Sequence, residues 1–336
     1  MADKQQRRIV FFLGAGASKA ADAHATVQHG GRIDVPTQKE FWSTFLRFCK
    51  RSENKKIIES FLFRYFIGYR KVPSRLTTLQ RYQKLDALEV EEVFTFISER
   101  IAAPATSSQL RTAVDKVWEA LTEEIGNVFS KFPANANSRK LYRKFMTRHV
   151  RSRDTIVSFN YDTIFEDSLS GGSKYYYDCI KKRKDSQIRV LKPHGSVNWA
   201  IEKGSIKIDK VAKRSVVVAP THLKFVVNGR QQTESDTGRY GYLDQTKEMP
   251  KIWDSMETQM KNAKALVFIG YSFPVSDLYF SSVLRSVLVG STTQPRIVVV
   301  NPDAMAIRER LVRRFPFKYV QTFFDFEQFN QSTRPA

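Results

Sequence analysis

Short, uninterrupted apolar runs alternate with polar or glycine-containing turns along this chain of 336 residues. The four strongest runs lie at residues 9–13, 155–159, 265–269 and 296–300, and each precedes a segment compatible with a helix. Continuous hydrophobicity over the length of a strand is typical of parallel strands that are covered on both faces. The pattern therefore predicts an α/β fold with a doubly wound parallel sheet. Weaker strand patterns occur at 187–191 and 215–219, and residues 206–208 fit a short hairpin arm.

The stretch between the first two strong strands has helical patterning. Apolar residues recur at helical spacing in five segments: 39–50, 53–67, 85–102, 107–130 and 138–149. We expect a helical subdomain over residues 37–150, inserted into a Rossmann-like domain that residues 1–36 and 151–336 form. A polar stretch at 224–246 predicts a loop or a hairpin.

The composition is that of an ordinary globular protein, with 42% hydrophobic and 26% charged residues. No apolar stretch reaches 18 residues, and the amino-terminal region has no signal-peptide cleavage pattern, so we expect no membrane span and no secretion. Cys49 and Cys179 are too few for a tetracysteine zinc site, and the five histidines show no metal-ligand spacing. We therefore expect a cytoplasmic protein without a bound metal.

The formal net charge of +21 attracts polyanions at long range. Two basic clusters stand out in the sequence. One contains Arg139, Lys140, Arg143, Lys144, Arg148, Arg151 and Arg153, and the other contains Lys181, Lys182, Arg183 and Lys184. They are either solvated faces that keep the protein soluble or contacts to nucleic acid or to a partner that carries it. No recognisable nucleic-acid-binding motif decides between these readings.

The first strong run ends in a turn of small residues. The turn consists of Gly14, Ala15, Gly16, Ala17 and Ser18. Glycines let the backbone approach a ligand closely, and the start of the following helix favours an anion such as pyrophosphate. Lys19 occupies the third small position of the dinucleotide fingerprint, so the motif is incomplete. A tight strand-to-helix turn in any α/β protein would explain the same residues equally well.

Polar side chains follow the strand at 155–159 and the weaker strand at 187–191. Asn160 and Asp162 come directly after the first, and we expect one of them to cap the next helix. His194 lies between a proline and a glycine after the second, on a sharp turn. Because ligands of open parallel sheets bind at the carboxyl ends of strands, we expect Asn160 and His194 to share one crevice. An isolated turn histidine more often bonds the backbone.

Two further strands end in residues that suit a nucleotide. Gly270 permits close backbone approach, and the Ser272 hydroxyl suits a hydroxyl or phosphate oxygen. Asn301 suits a ribose or a base edge, or else forms a turn and caps a helix.

One glutamate falls inside an apolar stripe of the predicted helix at 85–102. At 3.6 residues per turn, Glu92 projects between Leu88 and Phe96. It either contacts a ligand or pairs with an arginine in the core, and we expect the pairing.

Taken in order, these motifs resemble the sirtuin superfamily of NAD-consuming enzymes, and they resemble most its bacterial sirtuin-like branch, whose members act as NAD glycohydrolases in antiphage defence. The residues that carry the resemblance are Gly14-Ala15-Gly16-Ala17-Ser18, Asn160-Tyr161-Asp162, His194-Gly195, Gly270-Tyr271-Ser272 and Asn301. The resemblance implies cleavage of the nicotinamide–ribose bond of the substrate NAD+, with Asn160, His194 and Asp162 as catalytic residues. The implied NAD-binding residues are Gly14, Ala15, Gly16, Ser18, Gly270, Ser272 and Asn301.

The chain departs from protein-deacylating sirtuins in two respects. It cannot form their four-cysteine zinc module, and Tyr161 replaces the isoleucine of their asparagine-isoleucine-aspartate triplet. The alternatives that stay open are a deacylase, a non-catalytic module that binds ADP-ribose, and a nucleic-acid-binding subunit. For an effector in defence, the resemblance implies a homo-oligomer or a separate partner protein that senses the trigger.

Overall fold

Seven strands form one parallel sheet. The computed structural model describes residues 8–26, 31–103, 106–169, 174–184, 186–209, 216–217, 246–275, 277–290, 293–317 and 319–335. The strands are β1 (Ile9–Leu13), β2 (His24–Thr26), β3 (Arg32–Asp34), β4 (Thr155–Ser158), β5 (Tyr175–Tyr177), β6 (Ile188–Leu191), β7 (Gly195–Ser196), β8 (Trp199–Glu202), β9 (Ser205–Ile208), β10 (Val216–Val217), β11 (Ala265–Ile269), β12 (Arg296–Val300) and β13 (Val320–Phe323).

The strand order in the main sheet is β13-β12-β11-β1-β4-β6-β5, and every neighbouring pair is parallel. The order extends outward from β1 on both sides, so the direction of winding reverses between β1 and β11. This is the switch point at which open α/β sheets bind ligands. The predicted α/β fold with a Rossmann-like, doubly wound parallel sheet is confirmed.

Helices cover both faces of the sheet. They are α1 (Ala15–Ala20), α2 (Phe41–Phe48), α3 (Ser52–Leu62), α4 (Thr78–Asp86), α5 (Val90–Ala102), α6 (Ser108–Phe129), α7 (Ala136–His149), α8 (Ile164–Ser168), α9 (Glu248–Lys261), α10 (Leu278–Gly290), α11 (Ala304–Arg314) and α12 (Phe326–Gln331). Phe11 of β1 packs edge-on against Phe145 of α7, and the next residue, Phe12, contacts Phe280 of α10. Because successive strand residues point to opposite faces, β1 must be apolar throughout.

The helices α2 to α7 lie between β1 and β4 in the chain, as the helical patterning predicts. Aromatic rings tie them together: Phe94 of α5 contacts both Trp42 of α2 and Trp118 of α6. The proposed division into residues 37–150 and the two flanking segments stays a prediction.

Several finer predictions can be compared with the structure. The strand pattern at 187–191 forms β6, and residues 206–208 belong to the hairpin of β8 and β9. Val216–Val217 pairs antiparallel with β7 outside the main sheet, whereas the other residues of the predicted strand at 215–219 and most of the stretch at 224–246 lie outside the described residues. No helix in the described part of the chain is both long and apolar enough to cross a membrane.

The single helix predicted over 85–102 is wrong. Two helices occupy this region, because α4 ends at Asp86 and α5 begins at Val90. The prediction that Glu92 lies in an apolar stripe between Leu88 and Phe96 assumed one uninterrupted helix across this break. Glu92 is exposed, so its expected pairing with a core arginine is also wrong.

Candidate active site

The carboxyl ends of five neighbouring strands lie level at one edge of the sheet. Leu13 of β1 is in register with Ser158 of β4 and with Ile269 of β11, and the register continues to β6 and β12. Predicted site residues follow these ends within three positions: Gly14, Asn160, His194, Gly270 and Asn301. We call the surface between these residues the carboxyl-edge crevice. The sheet thus brings the predicted motifs to one edge.

Three glycines pack backbone to backbone at the switch point. A Cβ atom on Gly14 would lie 2.6 Å from the Gly270 carbonyl oxygen, and one on Gly16 would lie 2.8 Å from the Gly270 Cα. A Cβ on Gly270, whose φ is +64°, would lie 2.0 Å from the backbone nitrogen of Ala17. These glycines are therefore needed for the two turns to pack together. The sequence analysis predicted instead that they let a ligand approach the backbone.

Most amide groups of the glycine turn are used within the protein. The Gly14 N–H donates to the Ile269 carbonyl at 2.9 Å, the Gly16 N–H to the Gly270 carbonyl at 3.0 Å, and the Ala17 N–H to the Gly14 carbonyl at 2.8 Å. Ala15 and Gly16 are the half-buried residues of the turn, whereas its other residues are buried. A phosphate that reached the turn would therefore meet Ala15 and Gly16.

Asn160, Ser18 and Asp162 form a buried hydrogen-bonded chain below the turn. The Asn160 Nδ2 donates to the Gly14 carbonyl at 2.9 Å and to the Ser18 Oγ at 3.0 Å, and the Ser18 hydroxyl donates to the Asp162 Oδ2 at 3.0 Å. These contacts fix the Asn160 amide against the end of β1. Ser18 thereby connects Asn160 to Asp162 inside the protein, and its expected contact with a ligand stays a prediction.

Asp162 lies just before the start of α8, whose N-cap residue is Thr163, so the expectation that Asn160 or Asp162 is the cap is wrong. The Asp162 Oδ1 accepts the N–H of Ile164, the first residue of α8, at 3.0 Å. Burial raises the pKa of Asp162 to about 6, although the Lys192 cation and the Ile164 N–H act in the opposite direction. The carboxyl group therefore changes its charge close to neutral pH.

A buried ion pair connects α8 to the loop after β6. The Lys192 Nζ lies 3.1 Å from the Glu166 Oε1 and donates to the Asp162 carbonyl oxygen at 2.5 Å. The Glu166 Oε1 also accepts the Tyr177 hydroxyl at 3.2 Å. The Lys192 side chain has no exposed surface, and that of Glu166 has 2%. Lys192 thus holds Asp162 close to the turn that carries His194. The sequence reading missed both residues of the pair.

Replacement of Lys192 by methionine is expected to lower the free energy of unfolding by about 3 kcal/mol, because the Glu166 carboxylate would stay buried without its cation. The double variant Lys192→Met/Glu166→Leu should lose much less than the sum of the two single variants. Urea denaturation measures all three. Lys144→Met is the matched control, since it removes the exposed pair with Glu327 and should change stability by less than about 1 kcal/mol. Strict additivity of the buried pair would contradict the coupling.

His194 lies in a tight turn on the wall of the carboxyl-edge crevice. The Gly195 N–H closes the turn by donating to the Lys192 carbonyl at 3.0 Å, and Gly195 has a φ of +80°. The His194 ring centroid lies 5.0 Å from that of Phe159 and 6.3 Å from that of Tyr161. These two residues flank Asn160 in the chain, which places His194 near it, and a crevice shared by Asn160 and His194 stays a prediction.

A second buried cluster closes the other side of the crevice. The Tyr271 hydroxyl donates to the Asp277 Oδ2 at 2.6 Å, and the Asp277 Oδ1 accepts the Phe280 N–H at the start of α10. Burial raises the pKa values of Tyr161 and Tyr271, and the carboxylate of Glu91 on α5 acts in the same direction on both. Glu91, rather than the exposed Glu92, is thus the α5 acid near these two tyrosines.

The adenosine-side predictions meet ordinary turn geometry. The Asn301 Oδ1 accepts the Asp303 N–H at 3.0 Å in the turn before α11, which matches the alternative reading as a turn residue. Ser272 is exposed, and its carbonyl oxygen accepts a guanidinium N–H of Arg310 at 2.8 Å. Both residues lie at the crevice, and their contact with a nucleotide stays a prediction.

One family model matches a part of the chain that contains several of these residues. Residues 154–319 match the family model of the SIR2-like domain. The matched part covers just under half of the chain and contains Asn160, His194 and Gly270, whereas the glycine turn after β1 precedes it. The match to the SIR2-like domain supports the resemblance to the sirtuin superfamily that the motifs indicate.

Two solved structures of Sir2 proteins show a weak similarity to this chain. One, from work on the mechanism and regulation of Sir2 enzymes, is 12% identical, covers 96% of this chain and 89% of its own, and has a TM-score of 0.37. Another, a serine-to-alanine mutant of a Sir2 homologue in complex with ADP-ribose, is 13% identical, covers 92% of each chain and has a TM-score of 0.32. No curated protein matches the chain.

The described residues offer no three histidine, cysteine, aspartate or glutamate side chains grouped to hold a metal ion. Cys49 and Cys179 are free thiols and do not form a disulfide bond with each other.

Proposed function

We propose that the protein is an NAD+ glycohydrolase, which cleaves the bond between nicotinamide and ribose to give nicotinamide and ADP-ribose. The observation that carries the proposal is that, at the switch point of the sheet, the Asn160 amide bonds the glycine turn and the His194 ring packs against Phe159, the residue before Asn160. The SIR2-like match over residues 154–319 supports it, because Sir2 enzymes act on NAD+.

The chemistry places modest demands on the protein. Nicotinamide leaves as a neutral molecule from a cationic precursor, so its departure needs no general acid. Positive charge develops on the ribose, as in other glycosidic cleavages. The protein must therefore hold the ribose, position a water molecule and provide a negative field.

The roles of the catalytic residues follow from their positions. Asn160, which its bonds to Gly14 and Ser18 hold in place, orients the ribose and the attacking water. His194 accepts a proton from that water, directly or through a ribose hydroxyl. The Asp162 carboxylate supports Asn160 through Ser18 and favours the developing cation.

The remaining predicted contacts hold the pyrophosphate and the adenosine half of the dinucleotide. Ala15 and Gly16 would contact the pyrophosphate, and Ser272 and Asn301 the adenosine half. β4 and β12 are three strand spacings apart, about 14 Å. An elongated ligand could therefore contact the ends of both strands at once.

Incubation of the purified protein with NAD+ tests the proposal. Release of nicotinamide and ADP-ribose in the absence of any peptide would support it. Nicotinamide release that strictly requires an acylated peptide would indicate a deacylase instead. Tight binding of ADP-ribose without any release of nicotinamide would indicate a non-catalytic module.

The rate of NAD+ cleavage is expected to fall as the pH drops below about 6. The raised pKa of Asp162 makes its carboxyl group charged above this pH and neutral below it, and the neutral form no longer favours positive charge on the ribose. Steady-state kcat from about pH 5 to 8 measures the effect. Asp162→Asn should show a smaller decline, while Asp167→Asn, at an exposed position on α8, should keep the full decline. An unchanged decline in Asp162→Asn would remove Asp162 as its source.

The biological setting belongs to the same proposal. We infer a cytoplasmic effector of antiphage defence whose NAD+ cleavage is toxic and is triggered through a homo-oligomer or a partner protein. The resemblance of the motifs to the bacterial sirtuin-like branch supports this setting. Loss of cellular NAD+ after phage infection, in cells that carry the wild-type protein but not His194→Ala, is the expected result.

A further inference from the structure

A row of exposed basic residues lies at the amino edge of the sheet, opposite the carboxyl-edge crevice. Arg296, Lys264, Arg8 and Arg153 lie at or just before the starts of the neighbouring strands β12, β11, β1 and β4. The Lys264 N–H donates to the Arg8 carbonyl at 2.9 Å, and the Arg296 N–H donates to the Lys264 carbonyl at 2.8 Å. Successive members of the row are therefore one strand spacing apart along the backbone, about 4.8 Å.

The two basic clusters of the sequence meet at this edge. The guanidinium of Arg183 donates to the Ser152 carbonyl at 3.1 Å, which joins the loop of the second cluster to the turn of the first. The combined surface, which we call the amino-edge basic face, consists of Arg8, Arg151, Arg153, Arg183, Lys184, Lys264 and Arg296, all of them exposed. Residues far apart in the chain thus form one positive surface.

The acid nearest to this face does not neutralise it. Asp154 is buried, and its oxygens accept the N–H groups of Ile9 and Arg151 and two bonds from the Arg334 guanidinium, each 2.9 Å long. The ion pairs of the described residues include no member of the four-residue row. Some basic residues elsewhere are paired, such as Lys19 with Glu40.

We propose that the amino-edge basic face binds the phosphate backbone of a nucleic-acid duplex. A duplex carries one negative charge per about 1.7 Å of its axis, so a row of cations spaced by strands can contact several phosphates at once. Single-stranded nucleic acid is bound on aromatic stacking platforms, whereas the members of this face are all arginine or lysine. The aromatic Tyr319 is exposed and precedes β13, the strand next to β12. It therefore borders the row at Arg296 without belonging to it.

This binding is independent of the proposed NAD+ cleavage. The face lies at the opposite edge of the sheet from Asn160 and His194. Its loss should therefore leave the release of nicotinamide in the absence of nucleic acid unchanged.

Titration of a labelled 30-base-pair DNA duplex of arbitrary sequence, followed by fluorescence anisotropy, tests the proposal. The wild-type affinity should fall with rising salt, as expected for the release of counterions. The row variant, with Arg8, Arg153, Lys264 and Arg296 each replaced by serine, should bind about 100-fold more weakly and should show a shallower salt dependence, by about three to four in the logarithmic slope.

A control variant with the same change in net charge separates the position of the charges from their number. Arg70, Lys71, Arg75 and Lys84 are exposed in the helical region, and their replacement by serine should leave duplex affinity within a few-fold of wild type. Thermal unfolding verifies that both variants are folded. Equal weakening in the two variants, no duplex binding by the wild type, or equal binding of polyglutamate or of anionic vesicles would overturn the proposal.

Discussion

Replacement of Asn160 by alanine is expected to slow NAD+ cleavage by about 1000-fold, because the change removes a preorganised polar group next to the reacting ribose. The Asn160 amide is fixed before substrate arrives, by the Gly14 carbonyl and the Ser18 hydroxyl. Its loss should therefore lower kcat more than it raises KM. Release of nicotinamide from NAD+ under steady-state conditions measures both constants.

Asn54→Ala is the matched control for this variant. Asn54 is 8% exposed and Asn160 is 9% exposed, and the Asn54 amide also donates two side-chain hydrogen bonds, to Glu123 and Glu124. The two alanine variants should lose similar stability, by about 1–3 kcal/mol, whereas Asn54→Ala should keep its activity. A folded Asn160→Ala variant that cleaves NAD+ at the wild-type rate would exclude Asn160 from catalysis.

Replacement of Gly270 by alanine is expected to lower the free energy of unfolding by about 4 kcal/mol. The added Cβ would overlap the backbone of Gly16 and Ala17, at 2.3 Å from the Gly16 carbonyl carbon. Neither neighbour is a flexible side chain, so the whole glycine turn would have to move. The positive φ of Gly270 adds strain that an alanine tolerates poorly. Urea denaturation measures the loss.

Gly290→Ala provides the control for this glycine. Gly290 ends α10, and a Cβ there would approach only the Lys261 Cε, at 3.7 Å. This variant should be at least as stable as the wild type, because alanine restricts the unfolded chain. If Gly270→Ala proved as stable as Gly290→Ala, the close packing of the two turns at the switch point would be contradicted.

The sheet and the edge at which the candidate residues lie could be predicted because both depend on local sequence. β1 and β11 are apolar at every position since helices cover both of their faces, so their boundaries matched the apolar runs. Level strand ends then bring the residues that follow them to one edge. β5 and β13 were missed because their patterns are short and partly polar.

What the sequence could not predict depends on tertiary contacts. Helical spacing places a residue on a face only within one helix, and with the break before Val90 the residue predicted to pair in the core, Glu92, is exposed. The pairing of Lys192 with Glu166 joins a loop to a helix that is separate from it in the chain. A lysine directly after an apolar strand was the available signal, but nothing local identified its partner.

The binding position of ADP-ribose, determined in a crystal of the complex, tests most directly whether the carboxyl-edge crevice is the NAD+ site. We expect the pyrophosphate beside Ala15 and Gly16, the terminal ribose between Asn160 and His194, and the adenosine toward Asn301. ADP-ribose bound away from Asn160 and His194, or a crystal without bound nucleotide at saturating concentration, would contradict the proposed site.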